Sequence, residues 1–512
     1  MDAIKRSALR DKRVVLLFLF ALALALRLPL LGEQSLWMDE AFSVWMSSHP
    51  FHVIIDILSR IDAHPPLFYM MLKLWLMGGH SEAYLRLPSV LCGAVATGAI
   101  YLLGTELLGN TAGIVTSLFW ACSFVALNEE TQVRMYAPAV ALSILATYFF
   151  WRAVAPGLQA AGARSWRKWG LYLLFATLSL YTHYYTGFVI AAHWLFLILK
   201  RRYKEAAGVW IILFVLFAPW LPFFLKQFIA GQSKGMLEAK WIDFFFYFSS
   251  MLGTRNFFPM ALNAAIAVFS ISILALGAAL LLKRKPDEGL LLVLLFAVPC
   301  FLPFFISHYS SRHIFIFRYI IIFLPYFYLI FFSGLLSLPR AAAIPCLLAL
   351  FFVNVSLRVF TLTGPAFQSQ NWRQAANILE SRLEAGDALF VEQNMSFYPL
   401  WYYLPDHLQI GWDPKAKLII LGGTPGATRV RWYMLLPTDS KQTLQSQLSS
   451  SKRAWVILCQ PYLVDPDLKA AAFILRRGQL ISTYRLRSIE EANEIFLYLL
   501  IPDRRITGAD GK

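Results

Sequence analysis

The stretch "SLWMDEAFS", residues 35–43, sets Asp39 and Glu40 side by side among apolar neighbours. A carboxyl group partly withdrawn from water beside a second acid is a natural proton acceptor near neutrality. Other chemically capable residues follow in short clusters. "DAHPPLFY" supplies Asp62 and His64, and "YLRLPS" supplies Arg86. "NEETQVRMY" carries Glu129, Glu130, Arg134 and Tyr136, and "YTHYYTG" carries His183, Tyr184 and Tyr185. Arg255 lies in a long later loop, and "SHYSSRHIFIFRY" carries His308, Arg312, His313 and Arg318. Guanidinium forks bind phosphate oxygens bidentately, and a carboxylate can take the proton of an attacking hydroxyl. This set therefore suits displacement at a phosphate-bearing carbon by a hydroxyl.

The elements that must position these residues are membrane helices. The chain has 512 residues, 58% hydrophobic and only 15% charged, with a mean hydropathy of +0.57. A soluble surface needs more charge. The expected fold class is a polytopic α-helical membrane protein of about eleven spans, near 14–31, 84–107, 111–128, 135–152, 168–182, 185–199, 206–223, 258–282, 289–305, 318–337 and 341–359. The apolar segment 66–77 is short for a span and reads as a juxtamembrane or re-entrant helix. "FHVIIDILSR" reads as an amphipathic helix in the interface plane.

Net charge is +16, and its distribution argues against nucleic acid. Lys and Arg cluster at the N-terminus, in Arg164 to Lys168, in "KRRYK", in "KRK" and at Arg340. With the N-terminus cytoplasmic these all fall on one side, as the positive-inside rule demands. Nearly every unusual polar residue then lands at the outer helix ends, at the depth of lipid headgroups. The combination describes transfer of a sugar from a lipid phosphate to a hydroxyl. Plainer roles exist for each residue: Arg86 and Arg318 can snorkel to headgroups, His183 can be a satisfied polar group between helices, and Glu129 can cap a helix. Asp39, Glu40, Glu129, His64 and His183 are able to ligate a divalent metal, but no spacing demands one, and metal-independent catalysis without a cofactor is expected.

The acidic pair after the first helix, the "HPPL" stretch and "RLPS" opening the next helix resemble the GT-C glycosyltransferases. They are most similar to glycosyltransferase family 39, which includes protein O-mannosyltransferases and the related lipid A aminoarabinose transferases. The resemblance implies a polyprenyl-phosphate sugar donor, inversion at the anomeric carbon, and a glycan, lipid or protein acceptor at the outer face of a bacterial plasma membrane. It implies Asp39 as catalytic base with Glu40 as its neighbour, and an active-site lining that includes His64, Pro65, Pro66 and Arg86. Glu129, Arg134, Tyr136, His183, Arg255 and Arg318 complete the expected substrate-binding set. The rival readings are a transporter or flippase of a lipid-linked sugar, and a non-catalytic envelope assembly protein.

Residues 361–512 change character, so the expected domains are 1–360 and 361–512. An amphipathic helix, a Gly turn and alternating strand-like and helical runs read as a small extracytoplasmic α/β domain. The aromatic run "FYPLWYYL", 397–404, reads as a core helix or a membrane-surface contact, with a sugar platform as the alternative. An odd number of spans places this domain outside. A reporter active only in the cytoplasm, fused after Lys512, should be silent; strong signal would overturn the orientation.

Overall fold

A computed structural model describes residues 2–155, 163–230, 239–254, 257–310, 314–363, 369–391, 394–413, 417–422, 431–434, 441–460, 469–487 and 493–503. Its helices are α1 (Asp2–Arg27), α2 (Met38–Ser48), α3 (Phe51–Arg60), α4 (Leu67–Trp75), α5 (Glu82–Leu108), α6 (Asn110–Cys122), α7 (Phe124–Glu130), α8 (Tyr136–Val154), α9 (Ala163–Thr182), α10 (Thr186–Leu199), α11 (Tyr203–Phe217) and α12 (Leu221–Ala230). There follow α13 (Trp241–Ser250), α14 (Met260–Arg284), α15 (Pro286–Tyr309), α16 (Leu324–Leu335), α17 (Arg340–Thr363), α18 (Trp372–Arg382), α19 (Phe397–Tyr403), α20 (Lys441–Ser449) and α21 (Lys469–Leu475). The strands are β1 (Ala388–Val391), β2 (Gln409–Asp413), β3 (Lys417–Gly422), β4 (Arg431–Met434), β5 (Ala454–Cys459), β6 (Gly478–Leu486) and β7 (Ile495–Pro502).

Two compact units result. The first is Met1–Leu31, Ile57–Met71 and Leu85–Phe360; the second is Gly32–Asp56, Leu72–Tyr84 and Thr361–Lys512. The expected domains differ in that pieces 32–56 and 72–84 group with the tail.

In the first unit, eleven spans are expected from hydropathy. Among the described residues α5, α8, α14, α15 and α17 are long and apolar enough to cross a membrane, and the bent pairs α6–α7 and α11–α12 bring the number to seven. The expected spans 14–31, 168–182, 185–199 and 318–337 fall on α1, α9, α10 and α16, which are not among those seven, α10 and α16 being apolar but short. The breaks within the expected runs have local causes. The run 111–128 breaks by 58° at Ser123, whose hydroxyl caps α7 and meets the Tyr328 hydroxyl at 2.9 Å. The run 206–223 bends by 84° where Pro219 and Pro222 remove backbone donors. The run 318–337 opens with a 3₁₀ turn, Phe317–Ile322, before Pro325 starts α16. Segment 66–77 is a nine-residue helix with one further 3₁₀ turn, as its length predicts.

Helices α14 and α16 cross at Gly277 and Gly334. A Cβ at Gly277 would sit 2.1 Å from the Ile330 carbonyl oxygen, and one at Gly334 would sit 2.3 Å from that of Ile273. Small residues permit such backbone approach in membranes, where packing replaces the hydrophobic drive.

The ends of α1 and α7 are joined by a fully buried ion pair. Arg27 Nε donates to Glu130 Oε2 at 2.8 Å, its second nitrogen also reaches that oxygen, and the Trp120 indole donates to Glu130 Oε1 at 3.1 Å. Both side chains have no exposure. Gly93 of α5 makes room: a Cβ there would lie 2.7 Å from Glu130 Cδ and 2.9 Å from Arg27 Nε.

In the second unit, a five-stranded sheet runs β4-β1-β5-β7-β6. Strands β4, β1 and β5 are parallel, while β7 is antiparallel to β5 and β6. Strand β1, "ALFV", is buried along its length, as a central parallel strand must be. α20 and α21 supply Leu444, Leu448, Ala471 and Ile474 to the core against Phe390 and Val456. Arg453 grips buried Asp387 with two parallel bonds of 2.9 and 2.8 Å. The aromatic run 397–404 is mostly the helix α19. Its Tyr398 packs on Phe42 and Trp45 of α2, with ring centroids 5.0 and 4.9 Å apart, which is the core-helix reading.

Arg27→Met strands a buried carboxylate and should cost about 3–5 kcal/mol. The double variant Arg27→Met/Glu130→Leu should recover much of that loss. Thermal unfolding in detergent checks both; a single variant as stable as wild type would remove the pair's structural role.

Candidate active site

In the first unit, the loop from α3 to α4 folds around Asp62. Its Oδ1 accepts from the Ala63 backbone N–H and from the His64 Nδ1 side, both at 2.8 Å, and its Oδ2 accepts from the Tyr69 hydroxyl at 2.7 Å. The two prolines after His64 restrict the backbone, and the Pro66 carbonyl accepts the first bond of α4, from Met70 N–H. The sequence thus makes a carboxylate knot directly ahead of a helix start. Burial pushes the Asp62 carboxyl up, but His64, the Tyr69 hydroxyl and Arg134 outweigh it and hold the group at about 2 against an ordinary 3.8. Asp62 is therefore an anion at neutral pH, and it orients His64 with Nδ1 toward itself and Nε2 away.

His183 stands in the turn from α9 to α10. Its ring lies 5.5 Å from that of His64, 4.5 Å from Tyr319 and 5.8 Å from Tyr136. Its Nδ1 accepts the Tyr185 backbone N–H at 3.1 Å. Burial, then repulsion from His64 and Arg134, lowers its pKa well below 6.5. A neutral ring accepting at Nδ1 carries its proton on Nε2. The Nε2 atoms of His64 and His183 are both buried without a hydrogen-bond partner among the described residues. Arg134 lies over the Tyr136 ring at 5.8 Å and is 5% exposed. At the rim, Arg318 Nε approaches Glu129 Oε2 at 3.9 Å. Buried orphan nitrogens beside a buried guanidinium suit anionic oxygens.

This cluster gathers His64, Arg134, Tyr136 and His183, with the Glu129–Arg318 pair beside Arg134's loop. Asp62, Tyr69 and Tyr319 complete it and were not in the expected set; the D-x-H spacing of Asp62 and His64 was the available signal. Arg86 is 3% exposed and donates to the Leu31 carbonyl at 2.7 Å, fastening the end of the α1 segment. Arg255 lies outside the described residues. Among the described residues no group of three or more His, Cys, Asp or Glu is arranged to hold a metal ion.

Asp39 and Glu40 belong to the second unit, in the first turn of α2, where carboxylates complement the helix dipole. Glu40 is 1% exposed and accepts the Trp37 backbone N–H at 3.4 Å. Asp39 is partly exposed. The segment is fixed by the Leu36 N–H to the Tyr403 hydroxyl at 2.7 Å and the Met38 N–H to Gln370 Oε1 at 3.1 Å. Tyr403 in turn bonds Glu82, which Arg373 grips at 2.6 Å.

A family model described as dolichyl-phosphate-mannose-protein mannosyltransferase matches residues 63–224. No curated protein matches the chain. Among solved structures, ArnT from Cupriavidus metallidurans bound to undecaprenyl phosphate aligns with a TM-score of 0.59 at 12% identity, covering 94% of this chain and 97% of that one. The Archaeoglobus fulgidus oligosaccharyltransferase, in complex with Zn and sulfate, aligns at 0.53 and 11%, covering 92% and 72%. The chain has the GT-C fold. The matched family segment begins at Ala63, inside the Asp62–His64 knot, and runs through the loops that bring Arg134 and His183 to it. Fold and family match together indicate a multi-pass membrane glycosyltransferase of the GT-C type.

Asp62 contributes stability that is complete above the unfolded carboxyl value of 3.8 and lost as pH falls through about 2. The melting-temperature gap between wild type and Asp62→Asn should therefore stay constant from neutral pH down to about 4 and narrow below it. A gap that stays unchanged as pH falls from about 4 to about 2 would show Asp62 to titrate as an ordinary carboxyl.

Proposed function

We propose that the chain transfers a sugar from a polyprenyl-phosphate-linked donor to a hydroxyl of an envelope glycan, lipid or protein on the extracytoplasmic face. The observation that carries this reading is the buried imidazole–guanidinium cluster around Asp62, at one end of the first unit's helices. It offers His64, His183 and Arg134 to phosphate oxygens, with Arg318 at the rim. The likeness to a fold solved with undecaprenyl phosphate in ArnT supports the donor class.

In this reaction the acceptor oxygen attacks the anomeric carbon as the bond from that carbon to the donor phosphate oxygen breaks. The acceptor proton passes to a carboxylate, a role that the resemblance to glycosyltransferase family 39 assigns to Asp39, and the polyprenyl phosphate leaves with the bonding pair. The configuration at the anomeric carbon inverts. Cations held in a water-poor wall stabilise the charge that grows on the leaving phosphate. His183, neutral with its proton on Nε2, donates without needing to titrate. His64, pinned by Asp62, presents a fixed nitrogen. The reaction needs no cofactor in this scheme, and a divalent ion is compatible with it.

Asp39→Asn keeps shape but removes basicity, so single-turnover sugar transfer should fall by about 10² to 10⁴ with donor binding retained. Glu40→Gln should cost less, because an amide oxygen still accepts the Trp37 N–H. Normal transfer by Asp39→Asn at equal donor occupancy would remove it as the base; loss confined to Glu40→Gln would move the role to Glu40.

A further inference from the structure

At the end of the first unit's helices opposite the Asp62–His64 cluster lies a cavity of about 400 Å³. The placement follows from α8, which starts at Tyr136 in the cluster and ends near Arg152, bonded to Glu106 of α5 at 2.9 Å. Two residues on, the α5–α6 turn enters the cavity wall together with the α14–α15 turn and the end of α16. Its polar lining is Arg284, Lys285, Asn110, Thr111, Ser333 and Ser337, the rest is apolar apart from glycine, and no carboxylate lines it. Arg284 has no ion-pair partner among the described residues, and Lys285 spends one proton on the Leu107 carbonyl at 2.9 Å. Of the neighbouring acids, Glu106 is engaged by Arg152 and Tyr148 and Asp287 by Lys200, while Glu288 of the first turn of α15 lies outside the lining. The start of α6 also faces this space, and its N-cap is Gly109, which has no side chain to cap it. Two cations and a positive helix end, with no carboxylate in the lining, favour an anion.

The surroundings identify the kind of anion. Leu282, next to the lining, is 43% exposed, and only 33% of the apolar window of α14 is buried within the protein. An acyl chain can therefore lie along α14 while its headgroup enters the cavity. We propose that this cavity binds the phosphodiester headgroup of an anionic glycerophospholipid, in the leaflet remote from the Asp62–His64 cluster. Ser333 and Ser337 supply hydroxyls at headgroup depth, and Arg284 and Lys285 supply the charge. The site is separate from the sugar-transfer chemistry and does not depend on it.

The test is native mass spectrometry and thermal unfolding of the full chain in detergent, titrated with phosphatidylglycerol, phosphatidylcholine or inorganic phosphate. Phosphatidylglycerol should be retained and raise the melting temperature by about 2 °C, with the other two nearly silent. Arg284→Gln/Lys285→Gln should weaken retention roughly ten- to thirty-fold. Thr111→Trp, which fills the cavity from an exposed position without altering charge, should do the same and shows that the cavity, not net charge, is responsible. Equal retention of phosphatidylcholine, an equal shift with inorganic phosphate, or retention untouched by Thr111→Trp in a variant that melts like wild type without lipid would each overturn the proposal.

Discussion

The buried Arg27–Glu130 pair is the constraint on which the first unit's arrangement depends. Two opposite charges without exposure are tolerable only with full hydrogen bonding, and here the Ala23 carbonyl and the Trp120 indole complete the set. The pair fixes the end of α7, whose start is held by Asn354 through the Phe124 N–H at 2.9 Å. With both ends pinned, the loop that follows has a defined exit, and that loop carries Arg134 and Tyr136. The adjacent acids Glu129 and Glu130 therefore do different work. One is locked inward as an anchor, and the other faces Arg318 at the rim.

Asp62 plays the corresponding part for the cluster itself. It converts three local donors and a nearby guanidinium into a low-pKa anion, and that anion sets the direction of His64. His183 is set by a backbone N–H rather than by a charge, so the two imidazoles present nitrogen atoms of different origin: one beside a carboxylate, one neutral by burial. Such a wall is preorganised, because neither ring has to reorient when charge develops on a neighbouring oxygen.

Much of this was legible in the sequence for physical reasons. Long apolar runs and basic clusters marked the helices, and short strand-like apolar runs in the tail marked β1, β3, β4, β5, β6 and β7. The clusters containing His64, Arg134, Tyr136 and His183 were legible because polar residues between apolar runs must collect at helix ends. Other features were not. The breaks at Ser123 and at Pro219 and Pro222 lie inside runs that hydropathy reads as continuous. Strand β2, "QIGWD", has neither length nor alternation. Arg86 reads as a headgroup or phosphate contact from its position, and the bond it also makes to the Leu31 carbonyl at the α1 segment's end is set by packing that the sequence does not display. Glu130 is indistinguishable from Glu129 until the helix direction is known.

The central claim is that the Asp62–His64–Arg134 cluster receives the donor phosphate. The most direct measurement is a cryo-electron-microscopy structure of the full chain with undecaprenyl phosphate added. The account predicts phosphate density within hydrogen-bond reach of His64 Nε2 and the Arg134 guanidinium, with His183 alongside. Well-resolved phosphate elsewhere in the protein, with those nitrogens facing only protein or solvent, would contradict it.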